Sequence, residues 1–303
     1  MIIKNKKPIT KAIIAAAGFG TRFLPATKNQ PKEMLPIIDK PIIHYLVEEA
    51  VKSGITDIII VTRFGSHVLE DYFDNRYELE MQLEQAKKLD RLELVKNIPQ
   101  MANFVYVRQK GHLPYGNGTP LLASKNLIDD DEDFVYMFGD DLTLSYTEEP
   151  ITKQLINVFL EQSADAVLAV QQVPWDEIER YGSIEYKNNA TYKYEANKIL
   201  EKLPKDKAPS NMAQFGRFIL SNKVLNEIQK TSLGKDNELW LSDVLNNMAK
   251  NYKVIAQPIN GEWHTTGDPL RYLRTTFRFA LQREDLKDDV IKFISEITNE
   301  TNK

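Results

Sequence analysis

Residues 11–17 form a short, unbroken apolar run that stops on the glycine turn Gly18-Phe19-Gly20. An apolar stretch of this length closed by glycine predicts a strand buried on both faces, and such strands belong in parallel sheets covered by helices. Residues 57–62 (Asp-Ile-Ile-Ile-Val-Thr) repeat the device. Between the two, residues 41–53 place Ile42, Ile43, Leu46, Val47, Ala50 and Val51 on one helical stripe, with Pro41 at the first turn. Further β-rich runs at 103–109, 133–138, 165–173, 213–220 and 252–259 alternate with helical patterns at 119–126, 152–162 and 239–250. The alternation predicts an α/β fold with a mixed, mostly parallel sheet flanked by helices.

Three segments depart from that rhythm. The charged, periodic stretch 78–96 predicts a surface helix or helical hairpin inserted between two strands. Residues 175–209 turn to short polar strands, as expected of an antiparallel excursion forming one wall of a cleft. Residues 269–297 read as helices packed outside the sheet, or as a subunit contact.

Composition excludes several classes of function. The 39 basic and 43 acidic residues give a net charge of −4, without the basic footprint of a nucleic-acid binder. The absence of cysteine removes disulfides, zinc thiolates, thiol catalysis and iron–sulfur ligation together, and fits a cytoplasmic setting. No run approaches the ~20 apolar residues of a membrane helix, no secretion signal is visible, and no linker or repeat divides the chain. The expectation is one domain over 1–303 without a membrane partner.

The chemistry gathers on a few stretches. The glycine turn after the first strand frees backbone amides to wrap a phosphate or a planar base, and Arg22 adds charge. A dinucleotide site would want a third glycine where Phe23 stands, and Asp39 lies in a turn and not at the end of a second strand. The loop Gln30-Pro-Lys-Glu-Met-Leu-Pro36 is stiffened by Pro31 and Pro36 and carries Lys32.

Taken together, Gly18-Phe-Gly-Thr-Arg22 and Pro31-Lys-Glu-Met-Leu-Pro36 resemble the signature of sugar-1-phosphate nucleotidylyltransferases. The flanking Phe23-Leu-Pro-Ala-Thr-Lys28 and Ile38-Asp-Lys-Pro-Ile-Ile43 are similar to its bacterial UTP:glucose-1-phosphate uridylyltransferases. The resemblance runs along nearly the whole chain. It implies a Rossmann-like, glycosyltransferase-A-like fold with a nucleotide half near 11–150, a sugar half near 165–268 and C-terminal helices near 269–298. It also implies UTP and glucose 1-phosphate as substrates, Mg²⁺ as cofactor and a homo-oligomer.

Carried over residue by residue, the resemblance places Ala16, Ala17, Gly18, Gly20 and Thr21 at the nucleotide, with Gln109 reading the pyrimidine edge and Gly116 and Gly118 under the base. It gives catalytic charge to Arg22, Lys32 and Lys202, and metal ligation to Asp140 and Asp268. Gly182, Glu201, Lys202, Gly216 and Glu238 fall to the sugar. Asp141, beside Asp140, is expected to matter less. The four histidines lack metal-ligand spacing and receive no role.

Elementary chemistry is compatible with this set, because Mg²⁺ prefers one or two carboxylates and fills its other positions with phosphate and water. Simpler readings exist: Asp140 as a solvated turn, Asp268 as a helix cap, Glu201–Lys202 as a surface ion pair, Glu238 as a first-turn residue. The chain also departs from the family. The connection from Gln109 to Gly116 is longer than usual, Thr119-Pro120 follows the glycine pair where His-Ala is common, Leu203 replaces a proline, and Trp240 replaces a polar residue near the sugar. Those departures keep two alternatives open: the same chemistry with dTTP or another hexose 1-phosphate, and a weakly catalytic paralogue that binds sugar nucleotide and regulates a partner.

Overall fold

A computed structural model describes residues 7–63, 65, 67–188 and 190–301. The first buried run is β1 (Lys11–Ala15). A ribbon of β2 (Pro36–Ile37) and β3 (Lys40–Pro41) leads into α1 (Ile42–Lys52), and β4 (Asp57–Thr62) returns parallel to β1, with Ala12 opposite Ile58. Next come α2 (Val68–Tyr72), α3 (Tyr77–Gln85) and α4 (Leu89–Asn97), then β5 (Asn103–Arg108), parallel to β4 at the sheet edge. The charged stretch 78–96 is thus a helical hairpin inserted between two strands, and it holds Leu92 as its buried apolar side chain.

After α5 (Thr119–Ser124), β6 (Phe134–Phe138) lies parallel to β1 on its other side. The chain continues through β7 (Asp141–Ser145), α6 (Ile151–Glu161) and β8 (Ala166–Gln172). The polar excursion forms the antiparallel pair β9 (Gly182–Tyr186) and β10 (Ala196–Glu201), as its short turn-bounded runs predict. β11 (Met212–Leu220) runs antiparallel to β6, β8 and β9 and joins the excursion to the parallel half. Finally α7 (Lys223–Ile228), α8 (Leu241–Met248), β12 (Val254–Pro258), β13 (Gly261–Thr265), α9 (Pro269–Ala280) and α10 (Lys287–Thr301) complete the order. The nine-stranded sheet reads β10-β9-β11-β6-β1-β4-β5, with β8 also on β11 and β12 on β8.

Strand alternation builds both faces of the core. Ala12 and Ile14 of β1 point to the side covered by α1 and α6, whereas Ile13 points to the side covered by α5, α7 and α8. Val167 and Ala169 against Leu168 and Val170 divide β8 in the same way. This two-sided burial is why these runs read as continuous apolar segments. Among the described residues no helix is long and apolar enough to cross a membrane.

Several elements lay outside the sequence expectations, among them β2, β3, α2, α7 and the strands β7 and β13. β7 and β13 form a separate antiparallel pair, with Asp141 opposite Thr265. β13 reads Gly-Glu-Trp-His-Thr and lacks the apolar run that announces a buried strand. Its effect is to lay the segment carrying Gly267 and Asp268 beside the end of β6.

Candidate active site

Ala15 and Phe138, the last residues of β1 and β6, lie opposite one another, and the Gly139 amide donates to the Ala15 carbonyl at 3.0 Å. The glycine turn and Asp140 therefore open on the same edge, at the carboxyl ends of parallel strands where open α/β sheets bind ligands. A cleft of about 660 Å³ opens there, a size suited to small-molecule substrates. Its walls include Ala17, Gly18, Arg22, Lys32, Gln109, Gly116, Gly182, Glu201, Lys202 and Glu238, together with Asp140 and Asp268.

The remaining sequence-predicted residues lie outside the lining. Ala16 is buried and donates its amide to Val61 at 2.9 Å. Gly20 takes φ +62°, which glycine adopts without strain, and with Thr21 it builds the turn that presents Arg22. Gly118 donates to the Leu239 carbonyl at 2.9 Å. Gly216 packs against Phe138, whose ring a Cβ at this position would strike, and it donates to Asp141 Oδ2 at 2.8 Å. Gly116 is constrained twice, by φ +132° and by the Leu239 backbone, which leaves no room for a side chain.

Opposed charges meet at the lip. Lys32 Nζ donates to Asp140 Oδ2 at 2.5 Å, and Arg22 Nη1 donates to the Gly267 carbonyl at 3.2 Å. Burial would lower the Lys32 ammonium, but Asp140, Glu33 and Asp141 outweigh it and hold its pKa raised. The Thr266 amide donates to the Asp140 carbonyl at 2.7 Å, which clips the 266–268 segment to the end of β6.

Asp268 caps α9, accepting the Arg271 amide at 3.0 Å, so the capping reading holds. Its carboxylate nevertheless faces the cleft. It also accepts Arg180 Nη2 at 2.8 Å and Arg271 Nη1 at 2.9 Å. Burial opposes its charge, but Arg271 and then Arg180 hold the pKa below the usual carboxylate range. Sequence reasoning missed both arginines. Their signals were faint: Arg271 stands three residues after a cap and Arg180 directly before Tyr181-Gly182.

Asp141 differs from its neighbour. It is 5% exposed, accepts Trp263 Nε1 at 2.9 Å and the Gly216 amide at 2.8 Å, and so ties β7 to β11 and β13. Burial, then the Asp140 carboxylate, push it up to about 6. In the fold Asp141 is a buried junction.

Asp140 and Asp268 are hard oxygen donors that already compensate side-chain cations, a donor chemistry that fits a divalent metal. Among the described residues no group of three or more His, Asp or Glu side chains could hold a metal ion. A bound cation would therefore take few protein ligands and fill its shell with phosphate and water, the habit of Mg²⁺.

Glu33, in the loop of Lys32, is 1% exposed, and its Oε2 has no hydrogen-bond partner. Burial pushes its carboxyl up to about 7 against the pull of Lys32. An acid whose folded pKa is raised contributes stability at low pH and loses it as pH climbs from the unfolded value through the folded one, here from about 4.5 to about 7. Glu33→Gln is therefore expected to flatten this pH dependence and to be the more stable protein at pH 8, by roughly 2–3 kcal/mol. Urea unfolding of both proteins at pH 5 and pH 8 tests it, and a gap independent of pH would show that Glu33 stays ionised throughout.

Residues 11–280 match the family model described as nucleotidyl transferase. The chain belongs to that family. It is 43% identical over 291 residues to the UTP--glucose-1-phosphate uridylyltransferase of Staphylococcus haemolyticus, covering 96% of this chain and 99% of that protein. A UTP-bound UGPase from Acinetobacter baumannii superposes with a TM-score of 0.83 at 31% identity, covering 95% of this chain and 99% of the other. A UDP-glucose pyrophosphorylase complexed with UDP-glucose gives 0.81 at 35% identity, covering 91% and 100%. The resemblance carried by the two loop motifs thus holds over nearly the full length, and the mixed sheet is the nucleotidyl transferase fold. That membership concerns the scaffold and the named relatives.

Proposed function

We propose that this protein transfers the uridylyl group of UTP to glucose 1-phosphate, forming UDP-glucose and releasing pyrophosphate. The observation that carries the proposal is a cleft whose lining brings together the glycine turn, Gln109, Gly116, Glu201, Lys202 and Glu238, with the ion pairs Lys32–Asp140 and Arg180–Asp268–Arg271 on its wall. Relatives over nearly the whole length that carry this activity in their names support the choice of substrates.

In this reading a phosphate oxygen of glucose 1-phosphate attacks the α-phosphorus of UTP, and the bond from that phosphorus to the bridging oxygen of pyrophosphate breaks. No general base is required, since the second phosphate pKa is about 6 and the nucleophile is already ionised. The protein positions the reactants and neutralises charge. Gln109 reads the base edge over Gly116 and Gly118, and the turn around Ala16, Ala17, Gly18, Gly20 and Thr21 holds the nucleotide. Arg22 and Lys32 take the triphosphate and Lys202 the sugar phosphate. Gly182, Glu201, Gly216 and Glu238 form or support the hexose end. Mg²⁺, held by Asp140 and Asp268, supplies positive charge to the phosphates when bound. Self-association belongs to the same reading, since Leu273, Phe277, Phe293 and Ile294 of α9 and α10 are exposed.

Incubation with Mg²⁺, each nucleoside triphosphate and a panel of hexose 1-phosphates, with products identified by mass, tests the proposal. UDP-glucose is expected as the main product, and its absence defeats the reading. The same panel tests the long connection. Tyr115 lies on the cleft wall, its carbonyl accepts the Leu239 amide at 2.7 Å and its ring stacks on Phe19 at 6.3 Å, so it is fixed beside the base end. Exclusion of one methyl is worth about 10- to 200-fold. UTP is expected to be preferred over dTTP within that range, less so after Tyr115→Gly, and equal use by the intact protein would assign the connection another purpose.

A further inference from the structure

Lys202 is the first residue after β10 and takes φ +47°, a left-handed conformation that non-glycine residues rarely occupy. Its amide donates to the Tyr181 carbonyl at 3.1 Å, which anchors the bend. Its Nζ stands over the Trp240 ring, 3.8 Å from the centroid. Glu201 Oε1 is also 3.8 Å from Nζ, beyond a direct hydrogen bond. The ring face thus stands as near the ammonium as the Glu201 carboxylate does.

Trp240 is rigidly mounted. It is 9% exposed, and the residues on either side of it are tied to the loop under the base. The Leu239 amide donates to Tyr115 and its carbonyl accepts from Gly118, at 2.7 and 2.9 Å, while the Leu241 amide donates to Asn117 Oδ1 at 2.8 Å. A flexible ammonium thus lies on a fixed aromatic plate, an arrangement worth more where water is partly excluded. The face that carries Lys202 cannot also carry a hexose ring.

We infer that Trp240 is a positioning residue for Lys202: its indole face holds the ammonium at the sugar-phosphate end of the cleft and sets the affinity for the phosphorylated sugar. The inference rests on the reading of Lys202 as the group that meets the sugar phosphate. It departs from a role for the indole as a stacking platform for the sugar, which would leave the ring face open.

Steady-state kinetics with UTP and glucose 1-phosphate test it on Trp240→Leu, Trp240→Phe, Lys202→Met and the double variant Trp240→Leu/Lys202→Met. Trp240→Leu is expected to raise KM for glucose 1-phosphate about 5- to 30-fold, the worth of a partly desolvated cation–π contact, and to leave KM for UTP unchanged. Trp240→Phe, which keeps a ring face, is expected to restore most of the loss. On the Lys202→Met background the Leu substitution is expected to add nothing, because the partner it serves is gone. Independent multiplication of the two effects, or an equal rise in KM for UTP, would overturn the inference in favour of simple packing. Should Trp240→Leu fail to fold, Trp240→Phe and Trp240→Tyr decide it, and values for both as poor as that of Lys202→Met would refute it. A strong Lys202→Met defect with a silent Trp240→Leu defeats this inference alone, whereas a silent Lys202→Met defeats the assignment of Lys202 and this inference with it.

Discussion

Asp140→Asn is expected to lower kcat by about 10²- to 10³-fold, the loss that follows removal of one pre-aimed charge-stabilising group. The substitution keeps the volume and an oxygen that can accept from Lys32, so it removes charge and little else. Asp140 stands on the cleft wall with its carboxylate on Lys32 at 2.5 Å, and its backbone carbonyl, which holds Thr266, is untouched. The melting temperature is therefore expected to change little. Turnover measured across a Mg²⁺ titration, beside a thermal melt, checks both halves. Retention of near-normal kcat would return Asp140 to the role of a solvated turn. Asp141→Asn is expected to show the reverse pattern, a lower melting temperature with a smaller effect on kcat, since its bonds run to Trp263 and Gly216 inside the fold.

The contrast between these neighbours shows what the sequence made legible. Asp140 was legible through its resemblance to the family's strand-end motif, and it stands two residues beyond the end of the buried apolar strand β6, at the edge where such sheets bind ligands. The burial of Asp141 depends on Trp263, more than a hundred residues away, through a strand pair with no apolar signature. Arg22 and Lys32 were legible because glycine and proline fix local backbone, and local backbone is written locally. Arg180 and Arg271 were not, because their meaning lies in one carboxylate they share across the fold. Strand and helix positions came through for the same reason: two-sided burial leaves a continuous apolar run, and one-sided burial leaves a stripe at helical spacing. Helix limits shifted by a residue or two, as at α8, which begins at Leu241 and not at Leu239 because Trp240 is extended and the Leu239 backbone is bonded to Tyr115 and Gly118.

Gly216-Arg217 carries the largest structural consequence. Read from sequence, Gly216 belonged to the sugar end; in the fold the register of β11 against β8 shifts between Gln214 and Phe218, and its neighbour Arg217 turns into the core with no exposed surface. There Nε and Nη2 donate to Glu49 at 3.1 and 2.6 Å, Nη1 to the Gly216 carbonyl at 2.9 Å, and Nη2 also to the Asp141 carbonyl at 3.0 Å. Thr143 and Thr152 complete the shell of Glu49 at 2.9 and 2.6 Å. Burial works against the Glu49 charge, but Arg217 and then the two threonines hold its pKa below the usual range. Arg217→Ala removes that support and leaves a carboxylate buried without its counter-ion, which is expected to cost about 3–5 kcal/mol. The sign of the pH dependence follows. With Arg217 gone, burial is unopposed by its largest partner and the Glu49 pKa rises, so the variant regains stability as pH falls and Glu49 takes up a proton. Its deficit in urea unfolding is expected to be larger at pH 8 than at pH 5. The double variant Glu49→Leu/Arg217→Met, which removes both charges and keeps apolar volume, is expected to recover much of the loss, though not the bonds to Thr143, Thr152 and the Asp141 carbonyl. A double variant no better than Arg217→Ala would mean that packing around the guanidinium, and not its charge, holds β11 against α1.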